Sequence, residues 1–256
     1  MDASGSNQRC FYQAVVAPRA YDWLQAACDV AGSVAGDAGA EHGAVAVSGE
    51  RLEQQVAALR EWADHSGLLI EPTQIPPRFQ GGREHHLIDP QSASDRIVKI
   101  TIGPEFGFYA TCLPRSQYRD VCNWFTTIEA TPQQYFQRLL LLNELYPRCH
   151  TRLAGFVWSG RRLHAVTAQL IAQGRPASLN EISQWMHERG FRFISAWTWF
   201  NPQSGIALFD VFEKNVMLCG DGEIVPFDVI LVRCEGVFLE MMHAAVARMA
   251  ETSPPP

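Results

Sequence analysis

The chain has 256 residues, 47% hydrophobic and 19% charged, with 21 basic and 27 acidic residues for a net charge of -6. That apolar content over that length fills one medium core or two small ones and excludes wholesale disorder. The acidic balance, with no long basic run, speaks against a nucleic-acid partner bound through general electrostatics. No apolar stretch reaches the roughly 18–20 residues that cross a bilayer, so no membrane partner is expected. The N-terminus lacks a basic start followed by an apolar centre, and the seven cysteines are an odd, scattered set without a C-x-x-C pair. Both point to a cytoplasmic protein with reduced thiols.

In chain order, residues 1–18 are expected to form an arm and Ala20 to Val30 a short helix. The Gly- and Ala-rich stretch Gly32 to Gly49 is expected to be a linker. Residues 50–66 form an amphipathic helix with Leu52, Val56, Leu59 and Trp62 on one face, ended by Gly67. Leu68 to Ile70 make a short strand, and Pro72, Pro76 and Pro77 then prevent regular structure. Glu84 to Asp89 and Arg96 to Ile102 form a hairpin through Asp89-Pro90-Gln91-Ser92, and 103–130 are expected to be irregular. Thr131 caps a helix that has Pro132 at its first position and runs to about Tyr146.

A second hairpin, Leu153 to Trp158 and Arg162 to Gln169, turns at Ser159-Gly160. The loop Ala172 to Ala177 leads to a helix opened by the capping box Ser178-Leu-Asn-Glu181 and stopped by Gly190. Strands are expected at Phe191–Phe200, Ile206–Phe209, Val216–Cys219 and Glu223–Phe227, the last two joined by Gly220-Asp221-Gly222. A helix from Gly236 to about Ala250 precedes a Pro-rich tail. Strands in runs, separate from helices, make the fold α+β.

The pattern that carries chemistry is Asp210-Val-Phe-Glu-Lys-Asn215, followed by two apolar strands and Asp228. It places three oxygen-bearing side chains at one edge of a small sheet. Magnesium takes hard oxygen donors together with waters and substrate phosphates, and a hydroxyl acceptor needs a carboxylate to orient it and take its proton. One acid for the base, with an Asn and a second acid for the metal, is the minimum set for phosphoryl transfer. Lysine occurs only twice, at Lys99 and Lys214. Lys99 lies among Ile97, Val98, Ile100 and Ile102, in a strand whose apolar flanks make an unpaired ammonium costly.

These motifs resemble the protein-kinase-like superfamily. Asp210-x-x-x-x-Asn215 is similar to the catalytic loop and Asp228 to the metal-binding Asp after it. Arg-Ile-Val-Lys99-Ile resembles the strand whose lysine meets the ATP phosphates, and Gln80-Gly81-Gly82 lies where a glycine-rich loop belongs. Leu142-Asn143-Glu144 falls where that lysine's carboxylate partner is expected. Val166 to Gly174 resembles the hinge whose backbone meets adenine, here through Gln169 and Ile171. A narrower resemblance is to the kinase-like domains of polyvalent proteins from phages and conjugative elements. It is carried by Glu84-His85, Asn143-Glu144-Leu145, Gly174-Arg-Pro-Ala177, Asp210 to Asn215, and Ile224-Val-Pro-Phe-Asp228. The residues before Asp210 are Leu208-Phe209 in place of His-Arg, and Val229-Ile230 follow Asp228 in place of Phe-Gly.

The resemblance implies a compact, atypical bilobal kinase fold. An N-terminal arm, linker and helix (1–60) would precede an N-lobe (61–147), a shortened C-lobe (148–250) and a disordered tail (251–256). It implies transfer of the ATP γ-phosphoryl group, with Mg2+, to a hydroxyl, on a protein Ser, Thr or Tyr. Asp210 would orient and deprotonate the acceptor, and Asn215 and Asp228 would hold magnesium. Lys99 would neutralise phosphates and be held by Glu144; Lys214 would assist Asp210, and Gly81 and Gly82 would cradle phosphates. A nucleotide-binding pseudokinase that serves as a partner-binding module, and a small-molecule kinase, stay open as alternatives. The mobile-element context implies a delivered effector or toxin.

Overall fold

The computed structural model of the protein describes residues 15, 23–34, 49–76, 78–79, 82–88, 95–102, 106–113, 124–195 and 197–252. The expected arm apart from Val15, most of the linker, Gly81, the whole 89–92 turn and the tail beyond 252 lie outside the described residues. The described elements form two compact units. The chain passes between them at 108–109, 128–129 and 171–172.

The first unit is built on a six-stranded sheet in the order β1-β7-β8-β4-β3-β2. Its strands are β1 (Leu69–Ile70), β2 (Arg78–Phe79), β3 (His85–Ile88), β4 (Arg96–Thr101), β7 (Thr151–Ser159) and β8 (Arg162–Leu170). All neighbours pair antiparallel except β1 with β7. One face buries Ile88, Val98, Ile100, Ala154, Val157, Val166 and Ala168 in a single apolar cluster. Helices α1 (Trp23–Ser33), α2 (Gly49–His65) and α3 (Pro132–Leu145) complete this unit.

Helix α3 begins as the sequence requires. Thr131 Oγ1 accepts from the Gln134 N–H and the Gln134 side chain accepts from the Thr131 N–H, a reciprocal cap with Pro132 at the first turn. Helices α1 and α2 are integral to the first unit, for they pack on α3 and β7. Trp62 meets Trp23 edge-on at 5.8 Å and Phe156 at 6.2 Å, and Phe136 meets Phe156 at 6.2 Å. Full burial of such a ring is worth up to about 3 kcal/mol, and the half-buried Trp23 and Trp62 gain part of it, which ties α1 and α2 to the sheet. The expected division at residue 147 falls inside this unit, because β7 and β8 pair with each other and β8 with β4.

The second unit holds three small sheets and two helices. A four-stranded antiparallel sheet runs β10 (Arg192–Ser195), β11 (Thr198–Asn201), β12 (Ile206–Phe209), β15 (Ile230–Arg233). A three-stranded sheet runs β14 (Ile224–Pro226), β13 (Val216–Cys219), β9 (Gly174–Pro176). Most of the two-stranded sheet β5 (Phe108–Cys112) with β6 (Phe125–Glu129) belongs here too. So do α4 (Leu179–Glu188), opened by the Ser178–Glu181 capping box, and α5 (Gly236–Thr252).

Several expectations are corrected. Residues 103–130 are not irregular throughout, since they contain β5 and β6, whose alternation is blurred by aromatics. Pro77 does not prevent strand β2 directly after it. The loop 172–177 contains β9, which pairs with β13 because Gly174 has no Cβ; one there would overlap the Leu218 carbonyl. The single strand expected at Phe191–Phe200 is two, β10 and β11, which pair antiparallel with Ser195 opposite Thr198. Strand β15 was not anticipated, since a four-residue apolar run leaves little pattern to read.

Candidate functional site

In the first unit, Lys99 lies on β4, an interior strand, with Leu87 opposite on β3 and Thr167 opposite on β8. It is 8% exposed, and so buried. Directly paired residues in an antiparallel sheet project to the same face. Lys99 therefore shares its face with Thr167, and with Gln169 two residues along β8. Both are buried polar residues, so a polar patch stands opposite the apolar face of the same strands. The Cys149 thiol belongs to the same neighbourhood. Burial pushes it up to about 12, partly offset by the Lys99 charge.

The other residues expected around Lys99 are placed as follows. Glu144 is exposed on the last turn of α3, whereas its neighbour Asn143 is committed to the sheet. Asn143 Nδ2 donates to the Thr151 carbonyl at 2.6 Å, and its Oδ1 accepts from the Thr151 N–H at 2.7 Å. Gln169 is 2% exposed in the interior of β8, paired with Ile97 and Thr151. Ile171 is exposed, and its N–H donates to the Asp95 carbonyl at 2.9 Å. Gly82 is exposed in a bend before β3, and Gly81 lies outside the described residues.

Sequence reasoning missed the ion pair that ties α3 to the sheet. Arg138 Nη2 donates to Glu84 Oε1 at 2.5 Å, and Arg138 Nη1 donates to the Phe108 carbonyl at 2.9 Å. His85 Nε2 meets the Tyr135 hydroxyl at 3.0 Å. Gly107, at φ 87°, admits the carboxylate, since a Cβ there would overlap Glu84. Arg138 interrupts the apolar run of α3, and that interruption was the available signal.

In the second unit, Asp210, Asn215 and Asp228 come together. Asp210 leaves β12 at φ 59°, a left-handed conformation that Asp tolerates better than most residues. A tight loop follows, with the Phe212 N–H donating to the Asp210 carbonyl at 2.9 Å and the Asn215 N–H to the Phe212 carbonyl at 2.9 Å. Asn215 is 4% exposed. Its Nδ2 donates to the Asp210 carbonyl at 2.7 Å and to Asp210 Oδ2 at 2.9 Å. A carbonyl cannot donate, so the amide nitrogen must face Asp210 and the amide oxygen is the atom left for other use. The Asn215 carbonyl accepts from the Phe227 N–H at 3.0 Å and the Asp228 N–H at 3.5 Å. This brings Asp228, an exposed residue just past β14, to the same loop. Lys214 is exposed, with Nζ 5.3 Å from the Phe212 ring centroid.

This cluster offers a carboxylate oriented by an amide, that same amide's oxygen and an exposed carboxylate. The donor set is hard and oxygen-only, which fits magnesium and not a soft metal. Among the described residues no group of three or more His, Cys, Asp and Glu side chains could hold a metal ion. The donors at hand thus fit a cation that brings further ligands with it.

Residues 121–232, somewhat under half of the chain, match the family described as Serine/Threonine/Tyrosine Kinase found in polyvalent proteins. The chain is therefore related to the kinases of polyvalent proteins over that stretch. The stretch contains Glu144, Gln169, Ile171, Asp210, Lys214, Asn215 and Asp228; Lys99, Gly81 and Gly82 precede it. No curated protein and no solved structure matches the chain.

Proposed function

We propose that the protein is an ATP- and Mg-dependent phosphotransferase that moves the γ-phosphoryl group to a hydroxyl on a protein Ser, Thr or Tyr. In this reading the two units correspond to the lobes of an atypical kinase. The observation that carries it is the Asp210–Asn215 side-chain pair, with Asp228 hydrogen-bonded to the same loop, inside the stretch related to kinases.

Asp210 orients the acceptor hydroxyl and takes its proton. Asn215 Oδ1 and the Asp228 carboxylate are the residues that would hold the magnesium ion. When bound, that ion supplies charge neutralisation of the phosphate oxygens. Lys99, paired between β3 and β8, would neutralise phosphates with Glu144 to hold it, Gly81 and Gly82 would cradle phosphates, and Gln169 and Ile171 would meet adenine. Loose phosphoryl-transfer transition states need positioning and charge stabilisation above all, and side chains held by strands and hydrogen bonds supply both.

The test is thermal melting with and without Mg-ATP, for the wild type, Asp228→Ala and Lys99→Met, followed by label transfer from γ-labelled ATP. A ligand in ~100-fold excess over its dissociation constant stabilises by about 2.7 kcal/mol. The expected result is a magnesium-dependent rise in Tm that both variants lose. A wild type insensitive to ATP, ADP and GTP would overturn the reading.

A further inference from the structure

Trp197 is left-handed at φ 63°, beside the loop that starts at the left-handed Asp210. For a bulky side chain this conformation is a strained outlier, and it persists only where the surroundings over-determine it. The reversal between β10 and β11 does not itself call for tryptophan, since Gly or Asn would adopt this φ with little strain.

What Trp197 does supply is a pair of contacts to the two residues after Asp210. Its carbonyl accepts from the Val211 N–H at 3.2 Å. Its indole lies against the Phe212 ring, with centroids 4.5 Å apart and planes at 37°. Phe212 in turn closes onto Asp210, its N–H donating to the Asp210 carbonyl. The loop is thus held at Asn215 on one side and at Trp197 on the other. The residues just before Asp210, Leu208 and Phe209, bring no polar side chain to this task.

We propose that Trp197 is a positioning residue for Asp210. Its carbonyl and indole fix residues 211 and 212, so that the Asp210 carboxylate keeps the orientation in which it meets the acceptor hydroxyl. The inference rests on the reading of Asp210 as the acceptor-side base. The strain at Trp197 is offset by the contacts it makes with the loop, and a residue that relaxes the strain keeps the main-chain bond to Val211 but loses the indole's contact with Phe212.

The experiment uses the full chain with Mg-ATP as the probe. Hydrolysis and self-labelling from γ-labelled ATP are measured for the wild type, Trp197→Asn, Trp197→Phe and Asp210→Asn, with amide hydrogen exchange alongside. Asn tolerates the left-handed backbone, so Trp197→Asn should keep or raise Tm. Its kcat should nevertheless fall roughly 10- to 100-fold, with KM for Mg-ATP within about two-fold of wild type. Trp197→Phe should recover most of that rate, and exchange at 211 and 212 should quicken in Trp197→Asn alone. Wild-type kcat with unchanged exchange in Trp197→Asn, or a KM rising in step with the lost rate, would overturn the proposal. A wild type that turns over no label, identical to Asp210→Asn, would instead bring down the phosphotransfer reading. Exchange would then still decide the brace: faster exchange confined to 210–215 upholds it, and no change overturns it.

Discussion

Asn215 grips Asp210 at two points, donating from one amide nitrogen to its main-chain carbonyl at 2.7 Å and to its carboxylate at 2.9 Å. Replacing Asn215 by Leu removes both of these donations while the Asp210 carbonyl keeps its bond from the Phe212 N–H, and should cost about 1–3 kcal/mol, read as a lower urea midpoint at unchanged m-value. Asn215→Asp keeps the shape but sets two carboxylates against each other, which raises their ionisation range. Its destabilisation should therefore be small at pH 4 and grow as pH rises to 7. Equal losses at both pH values would show that the amide contributes packing and not a donor.

The Glu84–Arg138 pair makes a second, independent prediction. Arg138 is 5% exposed and Glu84 16%, so removing one partner leaves a charge poorly solvated. Arg138→Met and Glu84→Leu should each cost about 3 kcal/mol, while the double variant Glu84→Leu/Arg138→Met should recover a large part of it. A double-mutant cycle by chemical denaturation checks this. A coupling energy near zero would make the pair an incidental contact.

Three buried thiols set an alkaline limit. Burial pushes Cys28 up to about 11 and Cys149 and Cys234 up to about 12. In the unfolded chain a thiol ionises near pH 8.5. The raised folded values mean that their contribution is complete below that pH and is lost as pH climbs toward 11–12. Stability should fall above about pH 9, less steeply in Cys149→Ala and Cys234→Ala, as urea midpoints across pH 7–10.5 would record. Under native conditions at pH 8 these thiols should resist iodoacetamide and react only on unfolding.

The start of α4 governs the acid side locally. The Glu181 carboxyl is lowered to about 2, first by hydrogen bonds from the Arg175 guanidinium and then by the Ser178 backbone and side chain. A depressed carboxylate contributes above its unfolded range near 4.3 and is lost as pH falls toward 2. Glu181 is a surface group, so the effect should appear as fraying of α4 in amide exchange before global unfolding. Ser178→Ala should cost about 1 kcal/mol, and Glu181→Gln should remove the acid-side fraying.

Caps and turns were the most legible features. Thr131-Pro132 and Ser178 to Glu181 specify helix starts through local hydrogen bonds, and both appear where the residues place them. The β7–β8 hairpin was equally plain, as was β4 around Lys99. At the candidate site the Asp210–Asn215 spacing was readable because five residues of loop can close on themselves. Trp197 was not readable, since nothing in Ser-Ala-Trp-Thr marks a reversal and the aromatic alternation runs straight through it. Likewise Glu84 and Arg138 are 54 residues apart, and only the packing of α3 on β3 brings them together. The helices before residue 66 read as a separable extension because amphipathicity tells that a face is buried but not against what.

The register of β4 with β8 has a practical corollary. The kinase-related stretch begins at residue 121, yet β8 lies within it and draws Lys99's strand, β4, from outside. A fragment cut to 121–232 would keep the Asp210 loop while leaving β8 with a bare edge and an uncovered apolar face, an invitation to self-association in the test tube. Expression should therefore begin upstream of α1, so that β1 and the tryptophans that tie α1 and α2 to the sheet travel with it.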